Sequence, residues 1–130
     1  MEDRPDSAAL LDAVEALLRD ELVPRLDGAP AYHARIAASV VAIVARQLRL
    51  GPAASVDERE RLAALLGRDG DLPTLTAALA AGLREGAVAI DDPAVADHLW
   101  RTTRAKLAID QPRYPRLKQL EEEHDRTADG

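Results

Sequence analysis

The fold is decided by residues 31–50, which have the sequence AYHARIAASVVAIVARQLRL. At about 100° per residue, the large apolar side chains of this stretch fall in one arc that covers about half of an α-helix. His33 and Gln47 fall inside that arc, and the opposite side carries small residues with an arginine at each end. This pattern predicts an all-α protein in which residues 31–50 form a long, central second helix.

Capping residues, prolines and glycines divide the chain into a predicted single five-helix bundle. We place the first helix from the Ser7 cap to about Leu22, and we end the second at Gly51-Pro52. Ser55 and Glu58 form a capping-box pattern for a short third helix, and Asp71 and Asp92 cap two more. The predicted helices therefore cover residues 7–22, 30–50, 55–66, 72–85 and 93–110. We expect residues 1–115 to form the bundle domain and residues 116–130 to be a charged tail, either a short helix or disordered.

Composition restricts the function of the chain. It has 130 residues, 47% of them hydrophobic, no cysteine and a net charge of −6. The lack of cysteine excludes disulfides and thiolate metal sites, and the negative charge argues against nucleic acid as a partner. The charged N-terminus lacks the apolar core of a signal peptide, and the charges within residues 31–50 argue against a membrane span. We therefore expect a cytoplasmic protein that does not bind a membrane.

Four ionisable residues lean towards the predicted core when each helix is projected along its axis: Glu21, His33, Lys106 and Asp110. Each also has a purely structural interpretation. A lone inward histidine such as His33 is more often a satisfied core residue, and Glu21 and His33 can be a pair that fixes the first turn. Lys106 can lay its stem on the core with its ammonium group in water, and Asp110 can end the last helix.

Two sets of residues are candidates for binding. If the four ionisable residues converge, they form with Arg104 and Arg113 a site for a small anionic ligand, such as an acyl-CoA or a phosphorylated metabolite. The small-residue side of the second helix faces away from this cluster and is the candidate surface for a protein partner or a homodimer; it consists of Arg35, Ser39, Ala42 and Arg46.

Known catalytic patterns are not matched by this sequence. The three histidines, at positions 33, 98 and 124, are not spaced as metal ligands on one helix face. No glycine-rich phosphate loop follows a strand, and none of the three serines has an evident base beside it. We therefore expect no enzymatic activity from this chain alone, and no cofactor or metal.

Two blocks of sequence carry a family resemblance. Residues 31–52 (AYHARIAASVVAIVARQLRLGP) and 104–114 (RAKLAIDQPRY) are similar to signature segments of an uncharacterised bacterial family of small helical domains. The opening RPDSAALLDAVEALLRDELVPRLDG also resembles that family, so the similarity extends from Arg4 to about Tyr114. Members are encoded beside, or fused to, phosphotransferase-like proteins and acyl-CoA dehydrogenases. The resemblance implies an accessory role near acyl-CoA metabolism and supplies no catalytic residues.

Two functional hypotheses follow from the sequence. The first is a non-catalytic accessory or protein-interaction module that associates with a phosphotransferase-like or acyl-CoA dehydrogenase system. The alternative is a domain that binds a small anionic ligand in an aliphatic pocket.

Overall fold

The computed structural model describes residues 6–129, and in that part of the chain it contains helices and no strand. A π-helical turn (Leu17–Leu22) and a 3-10 turn (Val23–Arg25) continue the first helix. The prediction of an all-α fold with five helices and a long second helix is confirmed. The five helices are α1 (Ser7–Ala16), α2 (Gly28–Leu66), α3 (Leu72–Glu85), α4 (Pro93–Asp110) and α5 (Leu117–Ala128).

Aspartates cap the N-termini of three helices. Asp71 and Asp92 accept hydrogen bonds from backbone N–H groups at 2.8 and 2.9 Å, as the sequence predicts. The predicted cap of the first helix is wrong by one residue. Asp6, not Ser7, accepts the N–H bond there, at 2.7 Å, because its carboxylate reaches the N–H three residues further on.

The predicted break at Gly51-Pro52 is wrong, since α2 continues through both residues to Leu66. Ser55 therefore lies inside a helix and does not cap a new one. Proline within a helix removes one hydrogen bond and costs roughly 3 kcal/mol. Gly51 lowers that cost because it has no Cβ to collide with the proline ring, and good helix formers such as Glu58 and Arg59 follow.

The chain divides into two compact units at this proline: an N-terminal unit, Met1–Pro52, and a C-terminal unit, Ala53–Gly130. In the N-terminal unit, α1 and the first part of α2 form an antiparallel hairpin. Arg49 near the end of that part binds Asp12 near the start of α1, with N–O distances of 2.6 and 3.1 Å. Arg19, in the π-helical turn that continues α1, donates to Ser39, which lies earlier on α2, at 3.3 Å.

Leucines form the core of the C-terminal unit. Leu62, Leu75 and Leu79 are buried together, and other apolar residues pack around them: Ala63, Leu65, Leu66, Leu72, Leu83 and Val88. Gly82 lies against Val88, whose Cγ2 would be 2.6 Å from a Cβ at that position. The space beside Gly82 is thus filled by a residue of the loop that follows α3.

Contacts between rings and charges connect α5 to α4 within the C-terminal unit. The Trp100 and His124 rings stack with their centroids 5.2 Å apart, and His124 Nε2 lies 3.7 Å from a carboxylate oxygen of Asp97. Arg104 lies 3.6 Å from the Glu121 carboxylate. These groups are partly exposed, so each contact contributes little to stability by itself.

Helix α2 is long and apolar enough to cross a membrane by length and composition. Its most apolar 18-residue window has a mean hydropathy of 1.3, and 22% of that window is buried. Core helices of soluble proteins pass the same test, so this is weak evidence for membrane insertion. The cytoplasmic location stays a prediction.

Replacing Leu75 with alanine should strongly destabilise the C-terminal unit. Leu75 is fully buried, and deleting such a side chain leaves a cavity that costs about 2–5 kcal/mol. The matched control is Ile90→Ala in the same unit, because Ile90 is 73% exposed and its loss should cost no more than about 0.5 kcal/mol. Urea unfolding followed by fluorescence of Trp100 measures both values. Equal losses in the two variants would contradict this assignment of the core.

Candidate functional site

The hairpin of the N-terminal unit is held together by small side chains. Within residues 6–52 the buried apolar residues are all alanines: Ala8, Ala31, Ala38, Ala42 and Ala45. Arg49, which binds Asp12 on α1, follows Ala42 by seven residues and therefore lies on the same side of α2. The alanine side of α2 thus faces α1, and the absence of large side chains allows the two helices to approach closely.

In the part of α2 up to Pro52, five large apolar residues lie on the opposite side of the helix and face solvent. They form a row at four-residue spacing in which each side chain is 44–60% exposed: Tyr32, Ile36, Val40, Val44 and Leu48. We call this row the α2 outer face. The expectation that this arc forms the core is wrong. A helical projection identifies an apolar side but not what covers it, and α1 covers the alanines instead.

Helix α1 has an outer face of its own. Leu10, Val14 and Leu17 are 43–55% exposed and recur at the spacing of one helix side. Asp12 and Arg19, which contact α2, project from the other side of α1. The α1 outer face therefore points away from α2, and the hairpin exposes apolar rows on both of its outer sides.

The predicted interface residues border the contact with α1. Ala42 is 7% exposed, and Ser39 accepts a hydrogen bond from Arg19 of the same unit. Arg35 is exposed and Arg46 is half-buried. This stripe therefore belongs largely to the hairpin itself, because small residues allow α1 to pack beside it. The apolar surface available to another molecule is the α2 outer face.

The predicted polar cluster lies on the surface. All six members are exposed, so the expectation that four of them point into the core is wrong: Glu21, His33, Arg104, Lys106, Asp110 and Arg113. In α4 the reason is that the buried side contains Val95, His98 and Ile109, and the cluster members of this helix lie outside it. A joint role of the six residues in ligand binding stays a prediction.

The most buried polar side chain that the structure describes is His98, which is 5% exposed. Arg61 of α2 reaches it from the facing side of the C-terminal unit. Its Nη1 donates to the His98 carbonyl at 2.9 Å and lies 3.0 Å from His98 Nδ1. Its other nitrogens donate to Asp57 at 3.0 Å and to the Thr102 hydroxyl at 3.4 Å. One guanidinium group thus connects α2 to two turns of α4.

These contacts determine the tautomer of the His98 imidazole and contribute to its lowered pKa. A guanidinium group only donates hydrogen bonds, so His98 Nδ1 accepts and the proton of the neutral ring lies on Nε2. Burial, and secondarily the positive charge of Arg61, lower the pKa of His98 below its usual value of 6.5. No described side-chain nitrogen or oxygen is buried without a partner.

His98 lines an open cleft of about 480 Å³ at the start of α4. The other lining residues, two of them aspartates, are Arg61, Ala64, Leu65, Asp92, Ala94 and Asp97. Asp92 caps α4, Asp97 binds Arg101 at 3.1 Å, and Arg61 is already paired. The cleft therefore presents two carboxylates, an arrangement unfavourable for an anion. In the described part of the chain, no three histidine, aspartate or glutamate side chains lie close enough together to hold a metal ion.

His98 was not among the residues singled out from the sequence. Val95, His98, Thr102 and Ile109 do fall on one side of a helix, so the spacing contains the signal that His98 is buried. Its partner Arg61 is 37 residues away, and no local pattern connects the two. The pairing only becomes visible in the folded unit.

The lowered pKa of His98 predicts a specific pH dependence of stability. The unfolded state takes up a proton near pH 6.5 while the folded state resists it, so stability is full above that pH and falls as the pH decreases towards the lowered folded pKa. In His98→Asn the amide oxygen can still accept from Arg61, but nothing titrates. Urea unfolding between pH 8 and 5 should give the wild type a steeper loss, by no more than about 1.4 kcal/mol per pH unit.

The matched control for this experiment is Thr102→Val, which removes another acceptor of Arg61 and leaves the imidazole in place. It should keep the slope of the wild type. Parallel stability curves for the wild type and His98→Asn would contradict the assignment of His98 as the titrating group.

Comparison with known proteins identifies one match. The model of a domain of unknown function, DUF6285, matches residues 24–114, which include both the α2 outer face and the His98 cleft. No curated protein and no solved structure matches the chain. Since the match covers well over half of the 130 residues, the chain belongs to the DUF6285 family, a domain of unknown function.

Proposed function

We propose that this protein is a non-catalytic protein-interaction module that assembles through the outer faces of its N-terminal unit. The observation that supports this is the inverted packing of α2. Its alanines are buried in the hairpin, while Tyr32, Ile36, Val40, Val44 and Leu48 remain about half exposed. Contiguous apolar surfaces of this kind on folded proteins usually mark interaction sites.

Burial of these faces against another molecule would favour association. Full burial of a leucine or valine side chain contributes roughly 1.5–3 kcal/mol, so covering the exposed half of each contributes on the order of 1 kcal/mol. Five such side chains on α2 and three on α1 give two separate docking rows. Because the rows point to opposite sides of the hairpin, the module can contact two partners at once.

We also propose where this module acts and which protein it binds. The family resemblance suggests a bacterial, cytoplasmic accessory protein that acts with a phosphotransferase-like protein or an acyl-CoA dehydrogenase. We assign this partner to the α1 outer face, which consists of Leu10, Val14 and Leu17. The residues around this face include the carboxylates of Asp20 and Glu21, so a basic rim on the partner would be complementary.

The alternative function, binding of a small anion, has weaker support. Arg104 is paired with Glu121, and the one cleft described above contains Asp92 and Asp97. Lys106 and Arg113 are exposed and border no described cavity. An anion would meet repulsion in the cleft and solvent screening elsewhere.

Co-expression with the candidate partners tests the proposed function. The tagged chain should retain the phosphotransferase-like protein or the acyl-CoA dehydrogenase of the same genome at micromolar concentration. Val14→Glu should abolish retention, because an unpaired carboxylate would be buried in the contact at a cost of several kcal/mol.

Ala16→Glu is the matched control, since it adds the same charge to an exposed position on another side of α1 and should leave retention unchanged. Circular dichroism confirms that both variants are folded. If neither protein is retained by the wild type, or if Val14→Glu binds as well as Ala16→Glu, the proposal is wrong.

A further inference from the structure

We propose that the α2 outer face binds a second copy of this chain, forming a symmetric dimer whose two-fold axis passes through Val40. The inference rests on the proposed function, because it names the partner at one of the two docking rows. It is argued from the arrangement of polar, small and large residues around Val40.

Val40 lies at the centre of a surface suited to a helix crossing. A helix contacts its neighbour through a central residue and the residues three, four and seven positions away on either side. Around Val40 these are exposed or half-buried positions without a carboxylate, lysine or arginine among them: His33, Ile36, Ala37, Ile43, Val44 and Gln47. Val40 itself is 53% exposed.

Two-fold symmetry makes this surface complementary to itself. In an antiparallel pair centred on Val40, each residue faces the one at the same distance on the other side of the centre. Ala37 then faces Ile43 of the second copy, so a small side chain receives a large one. Ile36 faces Val44, which pairs two branched apolar side chains.

The two polar residues of the surface are also matched. His33 lies seven residues before Val40 and Gln47 lies seven residues after it. An antiparallel copy therefore places His33 opposite Gln47 at both ends of the contact, where an imidazole and an amide can exchange a hydrogen bond. A partner that is apolar throughout would leave both groups unsatisfied, so the surface favours a second copy over a lipid bilayer.

The arginines of α2 do not oppose this pairing. The part of α2 up to Pro52 contains three arginines and no carboxylate. All three lie on or beside the alanine side of α2, and Arg49 is bound to Asp12 of α1. Val40 lies on the opposite side, so a second copy docked there does not bring arginines together at the centre of the contact.

A charge-reversal pair at Val40 tests the symmetry directly. The wild type should sediment at twice the 14.0 kDa of one chain at micromolar concentration. Val40→Glu and Val40→Lys should each be monomeric, with the dissociation constant raised at least a hundredfold, because the residue on the axis meets itself. An equimolar mixture of the two variants should recover the dimer.

Ile90→Glu is the matched control, because it charges an exposed apolar residue of the C-terminal unit, outside both outer faces, and should leave the dimer intact. A monomeric wild type would overturn the inference, as would a dimer that survives Val40→Glu or a mixture that stays monomeric. Binding of the wild-type monomer to phosphatidylcholine vesicles would show that a membrane occupies this face instead.

Cross-linking tests the register. The chain has no cysteine, so single-cysteine variants report one position each. A mixture of His33→Cys and Gln47→Cys should form the mixed disulfide at least tenfold faster than either variant forms a disulfide with itself. Faster self-linking of His33→Cys would indicate a parallel pair and overturn the proposed arrangement.

Failure of the dimer and failure of the interaction module are distinguishable. If the wild type is monomeric but still retains its partner, and Val14→Glu abolishes that retention, the dimer is wrong and the proposed function stands. If the wild type forms a dimer that Val40→Glu disrupts but retains no partner, the accessory role is wrong and the dimer stands.

Discussion

The contact between the alanines of α2 and helix α1 is the constraint on which the N-terminal unit depends. Small side chains allow the two helices to approach closely, and the ion pair between Arg49 and Asp12 fixes their register. The alanines and the large apolar residues lie on opposite sides of α2, so burying the alanines leaves the row from Tyr32 to Leu48 exposed to solvent. The hairpin therefore has an exposed apolar surface that another molecule can cover.

The C-terminal unit buries large side chains where the N-terminal unit buries alanines. Its large side chains, including Leu62 and Leu75, are buried against one another, so the unit has a core that the hairpin lacks. Arg61 then connects α2 to α4 through the carbonyl and ring of His98. A buried guanidinium group needs several acceptors, and Asp57 supplies the charged one. Stability and interaction are therefore separated along the chain, with the leucine core in one unit and the exposed apolar rows in the other.

The sequence predicts features that local chemistry determines. Asp71 and Asp92 cap their helices as expected, because an N-cap depends only on a carboxylate and an N–H group two or three residues away. Gly86 ends α3 with a φ of 78°, which its lack of a side chain permits. The break at Gly51-Pro52 is not found, because the same glycine that suggests a helix end also relieves the clash with proline. Local rules do not decide between these two outcomes.

Features that depend on which surfaces meet could not be predicted in the same way. The projection of residues 31–50 separates large from small side chains correctly, yet the identity of the covered side depends on α1. Arg61 and His98 are 37 residues apart, so their pairing requires the fold of the whole unit.

The interpretation of His33 depends both on the local sequence pattern and on which surfaces meet in the fold. Its place in the apolar arc suggested a partner inside the chain, but the side chain is exposed. An exposed histidine beside an apolar row is unfavourable for a lipid or a wholly apolar partner, since burial would leave its ring nitrogens without hydrogen bonds. Gln47, at the mirror position about Val40, is the other polar residue of the surface around Val40. Only a two-fold arrangement brings these two positions together twice. His33, which did not fit the interpretation of residues 31–50 as a core, is therefore the strongest argument that a second copy covers this surface.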